Sequence, residues 1–390
     1  MAFPRGLLVA CVALAVITAA VFVAFPRSHE LPGRGESVGT DVCLSCHEAL
    51  APFALTAHHL STRRASGGAI AGSFEAGSNM LRTSNPSLFF RMDSTGEGYF
   101  QTAVVGDESD TRTISQRFDL VVGSGRKGQT YLSWAEDSVL VQLPVSFWRG
   151  IGWVNSPGYP DGLADFGRPV PPRCLECHAS YFGRRTADIE ANVYDPGTAV
   201  LGIGCETCHG PGAEHVRRQR SWARRLLGPG IVDLAELSRE GQLEACGLCH
   251  GGAARSRADP FSYVPGDSLS AHLRRSTLLG SARVDVHGNQ LALLMDSPCF
   301  QRSGMTCGTC HDVHTPQREA SAFVARCLGC HQVDSCGLFP ARGPSIADRC
   351  VDCHMPLLPS TTIVATSAGD TLQPLIRTHR IGIHPTAANR

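Results

Sequence analysis

The residues with the most evident chemistry are cysteines and histidines in one repeated pattern, Cys-x-x-Cys-His. It occurs seven times: CLSCH (43–47), CLECH (174–178), CETCH (205–209), CGLCH (246–250), CGTCH (307–311), CLGCH (327–331) and CVDCH (350–354). These copies take 14 of the 17 cysteines and seven of the 16 histidines. Two thiols at this spacing can be consumed as thioethers to a haem, and the histidine directly behind them can bind its iron from one side. Structural zinc also uses paired Cys-x-x-Cys, but it does not require a histidine after every second cysteine. A disulfide framework predicts no histidine rule at all. The pattern therefore predicts seven haem c groups. Their covalent sites are Cys43 and Cys46, Cys174 and Cys177, Cys205 and Cys208, Cys246 and Cys249, Cys307 and Cys310, Cys327 and Cys330, and Cys350 and Cys353. The proximal iron ligands are His47, His178, His209, His250, His311, His331 and His354.

Each iron has a sixth position. A second histidine there gives a six-coordinate electron carrier, and an empty position gives a site for substrate. Nine histidines lie outside the motifs. His29 sits beside the N-terminal apolar segment and reads as solvated. The others are the distal candidates: His58, His59, His215, His272, His287, His314, His379 and His384.

Composition narrows the setting. With 35 Lys+Arg against 35 Asp+Glu the formal charge is zero, which gives no hint of nucleic acid. All but Lys127 of those cations are arginine, whose fork matches a carboxylate, so many are expected on haem propionates. RRQRSWARR (217–225) fits that use or a solvated helix face. An uncharged apolar run from Gly6 to Phe25 is long enough to span a bilayer and lacks a clear cleavage site, so it is expected as an uncleaved anchor rather than a removed signal peptide. Cys11, in LVAC, reads as a membrane-embedded cysteine, because the apolar run continues beyond it. Either way the body is exported, to the periplasm or the outer face of the cytoplasmic membrane, or secreted if the segment is cleaved.

The elements that must position these residues follow from local pattern. Residues 1–26 are the anchor or signal peptide and 27–42 a Gly/Pro-rich linker. Residues 43–80 form a first haem-binding segment, in which 47–63 has helical spacing and brings His58 and His59 round after about three turns. Residues 81–170 are a β-rich insertion with a covering loop, since SLFFRM, YFQTAVV, RFDLVV and SVLVQLPV alternate with glycine turns. GSGRKG (123–128) matches a dinucleotide pattern, but the strand-like sequence after it makes it a hairpin turn. In 171–356 six motifs crowd together, too little chain for an ordinary apolar core, so the porphyrins must be the core. Residues 357–390 are a tail that supplies distal histidines. The expected fold class is a mainly α and irregular multihaem core with a β-rich insertion and an N-terminal transmembrane helix. Cys299 and Cys336, left over in an exported chain, are expected to form a disulfide or to remain as buried thiols.

The pieces CLSCH…TAHH, CETCHGPGAEH, CGTCHDVH and CVDCHMP resemble the multihaem c-type cytochromes of the superfamily that includes the nitrifier tetrahaem cytochrome and hydroxylamine oxidoreductase. That resemblance implies distal ligand roles for His58, His215 and His314, with His59 as the alternative to His58. The roles of His272, His287, His379 and His384 rest on the count alone. The chain departs from the pentahaem nitrite reductases in having no Cys-x-x-Cys-Lys, and it carries no marker of the tyrosine crosslink of the octahaem enzymes. The expected function is electron transfer through seven mostly bis-histidine haems, between a membrane-side redox donor and an unknown acceptor. The alternatives are a multihaem oxidoreductase acting on a small nitrogen or sulfur compound at one open-faced haem, and a haem-bearing docking subunit.

Overall fold

The structure is a computed structural model that describes residues 29–31, 34–107, 110–275, 288–360 and 362–385. Its secondary structure corrects the expected fold class: helix and strand take equal shares, 28% each, so the chain is not mainly α. The motif region itself contains antiparallel hairpins, Ala179–Arg184 with Tyr194–Leu201 and Ala254–Ser256 with Leu273–Arg275, and the tail adds Leu357–Pro359 with Leu375–Arg377. The physical reason is backbone pairing. Short stretches between motifs have no room for long helices, and a two-stranded hairpin satisfies their N–H and C=O groups locally. The longest helix among the described residues, Arg239–His250, has 12 residues. The expected membrane-spanning helix falls outside the described residues. No helix among the described residues is long and apolar enough to cross a membrane, and Gly6–Phe25, with Cys11, lies outside them.

Two sheets face each other across residues 62–169. One is a four-stranded meander of Met80–Arg82, Leu88–Thr95, Gly98–Gly106 and Thr111–Arg117. The other has seven strands, with Gly128–Ala135 paired to Val145–Trp148, Val139–Gln142 and Leu120–Val122, and Thr62–Arg64 joined at Leu120–Val122. Phe90, Met92, Ala103, Phe118, Tyr131, Leu143, Val145 and Trp153 fill the space between them. The alternating burial of Leu88, Phe90 and Met92 is the period-2 pattern of a half-buried strand. GSGRKG is the turn of an antiparallel hairpin in which Val122 pairs with Thr130. Gly123 there has φ +105, and a Cβ would come within 2.7 Å of the Gly128 carbonyl oxygen, so the position needs glycine.

Beyond Phe300 the buried apolar side chains among the described residues reduce to Val324, Ile346, Val351 and Ala365. The chain there is a shell without an apolar centre of its own. The segment after the first motif also differs from the expected α-helix: Glu48–Leu55 is a 3-10 helix with Pro52 inside it. Proline removes an α-type hydrogen bond, and the tighter turn accommodates it.

Candidate haem-binding site

The motif spacing becomes geometry at each copy. His47, His311 and His331 each donate their backbone N–H to the carbonyl of the first motif cysteine, four residues back, at 2.9 Å. One such turn carries both sulfurs and the imidazole on the same face, because residues three and four apart are neighbours on a helix. Both cysteines and the histidine of all seven motifs line one continuous cavity of about 3160 Å³. An ordinary small-molecule pocket is roughly 300–1,000 Å³, so this space is made for several large groups.

Four pairs of imidazoles face each other across it. The ring centroids of His47 and His215 are 6.2 Å apart, those of His58 and His250 6.1 Å, those of His209 and His314 6.1 Å, and those of His311 and His379 6.2 Å. Two imidazoles bound to one metal from opposite sides, with metal–nitrogen bonds of roughly 2.0–2.1 Å and ring centres about 1.1 Å behind the nitrogens, stand about 6 Å apart. The residues therefore fit haem iron. The ring planes lie within 22°, 20° and 24° of each other in the first, third and fourth pairs, and at 76° in the His58–His250 pair.

Backbone carbonyls fix several of these rings. His209 donates from Nδ1 to Val232 O at 2.9 Å, His215 to Pro229 O at 2.6 Å and His354 to Gly382 O at 2.9 Å. A carbonyl can only accept, so Nδ1 carries the proton and Nε2 is the basic nitrogen offered to a metal. Burial lowers the proton affinity of His58, His250 and His311. It pushes His379 down to about 4, with the neighbouring His311 adding to the effect. Each is thereby kept in the neutral form that ligates.

The other candidates sit differently. His59 is turned off the cavity with its ring edge on Phe53. His272 also lies off it, with Nδ1 3.1 Å from Ser262 Oγ and Nε2 3.4 Å from Asp267. His384 lines the cavity, and its Nε2 is 3.1 Å from Arg380 O. His287 lies outside the described residues, and His29 is described only as part of the strand His29–Leu31.

The tail that carries His379 is fastened to the last motif. Leu357–Pro359 pairs with Leu375–Arg377, and Arg377 donates to Val351 O, Met355 O and the Asp352 carboxylate. At the other end, the Glu206 carboxylate gathers the backbone N–H of Val38, Gly39 and Gly212 and the hydroxyl of Ser37, locking the hairpin before the first motif onto the third. Arg173 and Glu176, both nearly buried, pair at 3.3 Å beside Cys177 and Cys249. Burial raises the Glu176 carboxyl above its ordinary value, and the Arg173 charge opposes that shift.

The motifs adjoin in a definite order. Cys43 lies within hydrogen-bond reach of Cys205, Cys177 of Cys249, and Cys246 of Cys307. Cys208 neighbours Cys246 and Cys249, and Cys327 neighbours both Cys310 and Cys350. In the thiol state hydrogen bonding from Cys43 brings Cys205 down to about 7, and burial pushes Cys208 up to about 11.

Sequence reasoning missed part of the wall. Arg126, Lys127, Gln129, Thr130, Gln142 and Arg168 bring the β-rich region to the cavity. It also missed the carbonyls of Pro229, Val232 and Gly382, whose backbone role leaves no side-chain signal. Cys299 and Cys336 are free thiols in the structure and not a disulfide. Cys299 lies near Cys310 and Cys327, whereas Cys336 lies near Cys350.

The family described as cytochrome c554 and c-prime matches residues 165–210, which span the second and third motifs. The C-type polyheme cytochrome OmcC of Geobacter sulfurreducens is 25% identical over 262 residues, 60% of this chain and 32% of that protein. The chain thus spans about a third of the length of that curated relative. No solved structure matches the chain. The chain is similar to multihaem c-type cytochromes, and these two matches support haem c as its cofactor and electron transfer as its class of function.

Proposed function

We propose that the chain is an extracytoplasmic electron-transfer protein that holds seven haem c groups in one connected, branched array. The observation that carries this reading is the single cavity lined by all seven motifs. The 14 motif cysteines would attach the groups, and the seven motif histidines would bind from the proximal side. His215, His58, His314 and His379 would bind distally, opposite His47, His250, His209 and His311 respectively. Bound haem supplies one-electron redox chemistry at potentials set by ligand type, burial and charge.

The chain's own residues do the positioning. Carbonyls of Val232, Pro229 and Gly382 orient imidazoles, and burial keeps His58, His250, His311 and His379 unprotonated. The cysteine contacts give a spatial order of motifs one, three, four, five, six and seven, with the second motif branching from the fourth. That branch ends against the β-rich region. A membrane-side donor and a separate acceptor would use the ends of this array.

A second reading has its own observation. His331 and His354 have no stacked imidazole partner among the described residues. A catalyst of small nitrogen or sulfur compounds would use an open face at one of them. Spectroscopy of the ferric protein separates the two readings. A wire shows low-spin haem only and negligible carbon monoxide binding when reduced. One high-spin haem that binds nitrite, hydroxylamine or carbon monoxide supports the catalyst and overturns the pure wire.

A further inference from the structure

One exposed patch adjoins the haem cavity with side chains that do not line it. Trp222 is 95% exposed and Leu226 84%, with Leu227 beside them on the single helical turn Arg224–Leu227. Arg225 flanks these side chains with no carboxylate at ion-pair distance among the described residues, whereas Arg224 lines the haem cavity. The preceding helix, Ala213–Arg220, is different: Glu214 and Glu36 neutralise Arg217, and Glu214 neutralises Arg218. The patch therefore combines an unshielded indole, two leucines and the uncompensated guanidinium of Arg225. An aqueous surface gains nothing from exposing that combination. At a lipid–water boundary the indole sits at headgroup level, the leucines enter the acyl edge, and Arg225 meets anionic headgroups.

The chain outside the structure points to the same occupant. Residues 1–28, which include the apolar run Gly6–Phe25, lead into the hairpin of His29–Leu31 and Gly35–Ser37. That hairpin is fastened to the helix in front of the patch, Glu36 to Arg217 and Gly35 against the Pro211 ring. The apolar run thus precedes in sequence a hairpin fastened to the helix that leads into the patch.

We propose that the Trp222–Leu227 face docks on an anionic phospholipid surface. The contact is peripheral and requires no spanning helix. It also has a consequence that rests on the electron-transfer reading. Pro229 and Val232, just behind the patch, hold His215 and His209. Docking brings the first and third motifs to the lipid surface, where a membrane-side donor would deliver electrons.

Hydrogen exchange of the full-length holoprotein tests the contact without depending on electron transfer, so the docking face can fail while the wire stands. The probes are vesicles of phosphatidylcholine alone and of phosphatidylcholine mixed with phosphatidylglycerol. With the mixed vesicles the amides of 221–228 should exchange at least roughly fivefold more slowly, as expected for one arginine at an anionic surface. The strands Leu88–Thr95 and Gly98–Gly106 should be unaffected. The double variant Trp222→Ser/Leu226→Ser should lose the protection with its haem spectrum intact, and Arg225→Gln should reduce it. Unchanged exchange of 221–228 while the protein is held on mixed vesicles overturns the proposal and leaves a protein partner as the occupant. Equal protection by neutral vesicles, indifferent to Arg225→Gln, overturns the anionic specificity.

Discussion

His58 and His59 are adjacent, yet only His58 faces a motif imidazole, at 6.1 Å from His250, while His59 packs on Phe53. Replacing His58 by Ala should therefore open one iron of the seven, and replacing His59 should open none. The ring angles make the expected change specific. Axial imidazoles in near-parallel planes split the iron d orbitals rhombically, whereas near-perpendicular planes leave two orbitals almost degenerate and give a highly anisotropic low-spin signal. The His58–His250 planes cross at 76°, and the other three pairs lie within 24°. Electron paramagnetic resonance of ferric His58→Ala should lose one highly anisotropic component, gain one high-spin haem per protein and keep the rhombic components. Mass spectrometry should still find every thioether, because the distal ligand plays no part in attachment. A high-spin haem in His59→Ala with none in His58→Ala would refute the pairing. Loss of a rhombic component in His58→Ala would refute the ring geometry.

Other expectations follow from neighbouring contacts. His215→Ala should also create one high-spin haem, but at the expense of a rhombic component, because the His47–His215 planes differ by 22°. Glu206→Ala leaves the N–H groups of Val38, Gly39 and Gly212 without their acceptor and should lower stability by on the order of 3 kcal/mol, read as an earlier urea midpoint. An unchanged midpoint would contradict the clasp. Gly123→Ala, at φ +105 and facing the Gly128 carbonyl, should cost more than about 1 kcal/mol by the same measurement. Cys299 and Cys336 should both alkylate in the denatured, unreduced protein; protection of both would restore the disulfide.

The parts legible in the sequence are those encoded in local spacing. Cys-x-x-Cys-His is one helical turn, so its geometry is complete within five residues. The strands of the β-rich region were visible because SLFFRM, YFQTAVV, RFDLVV and SVLVQLPV are rich in β-branched and aromatic residues and are separated by glycine turns. The hairpins inside the motif region were not visible. Ala254–Ser256 and Leu273–Arg275 are three residues each, too short for a periodic signal, and they form because their backbone needs partners. Helical spacing alone did not separate His58 from His59, and His58 was preferred only through the resemblance; a 3-10 segment with Pro52 precedes both. Lys127 read as a turn residue, and it is one. Its place on the cavity wall depends on how a distant hairpin folds back, which no local pattern encodes.

The most direct test of seven covalent haems is the intact mass of the denatured, purified protein, taken with its haem-to-polypeptide ratio. The expected result is a single species carrying seven haems that acid–acetone extraction does not remove. A species with fewer haems, one whose haem is extracted, or a metal content accounted for by zinc would contradict the reading.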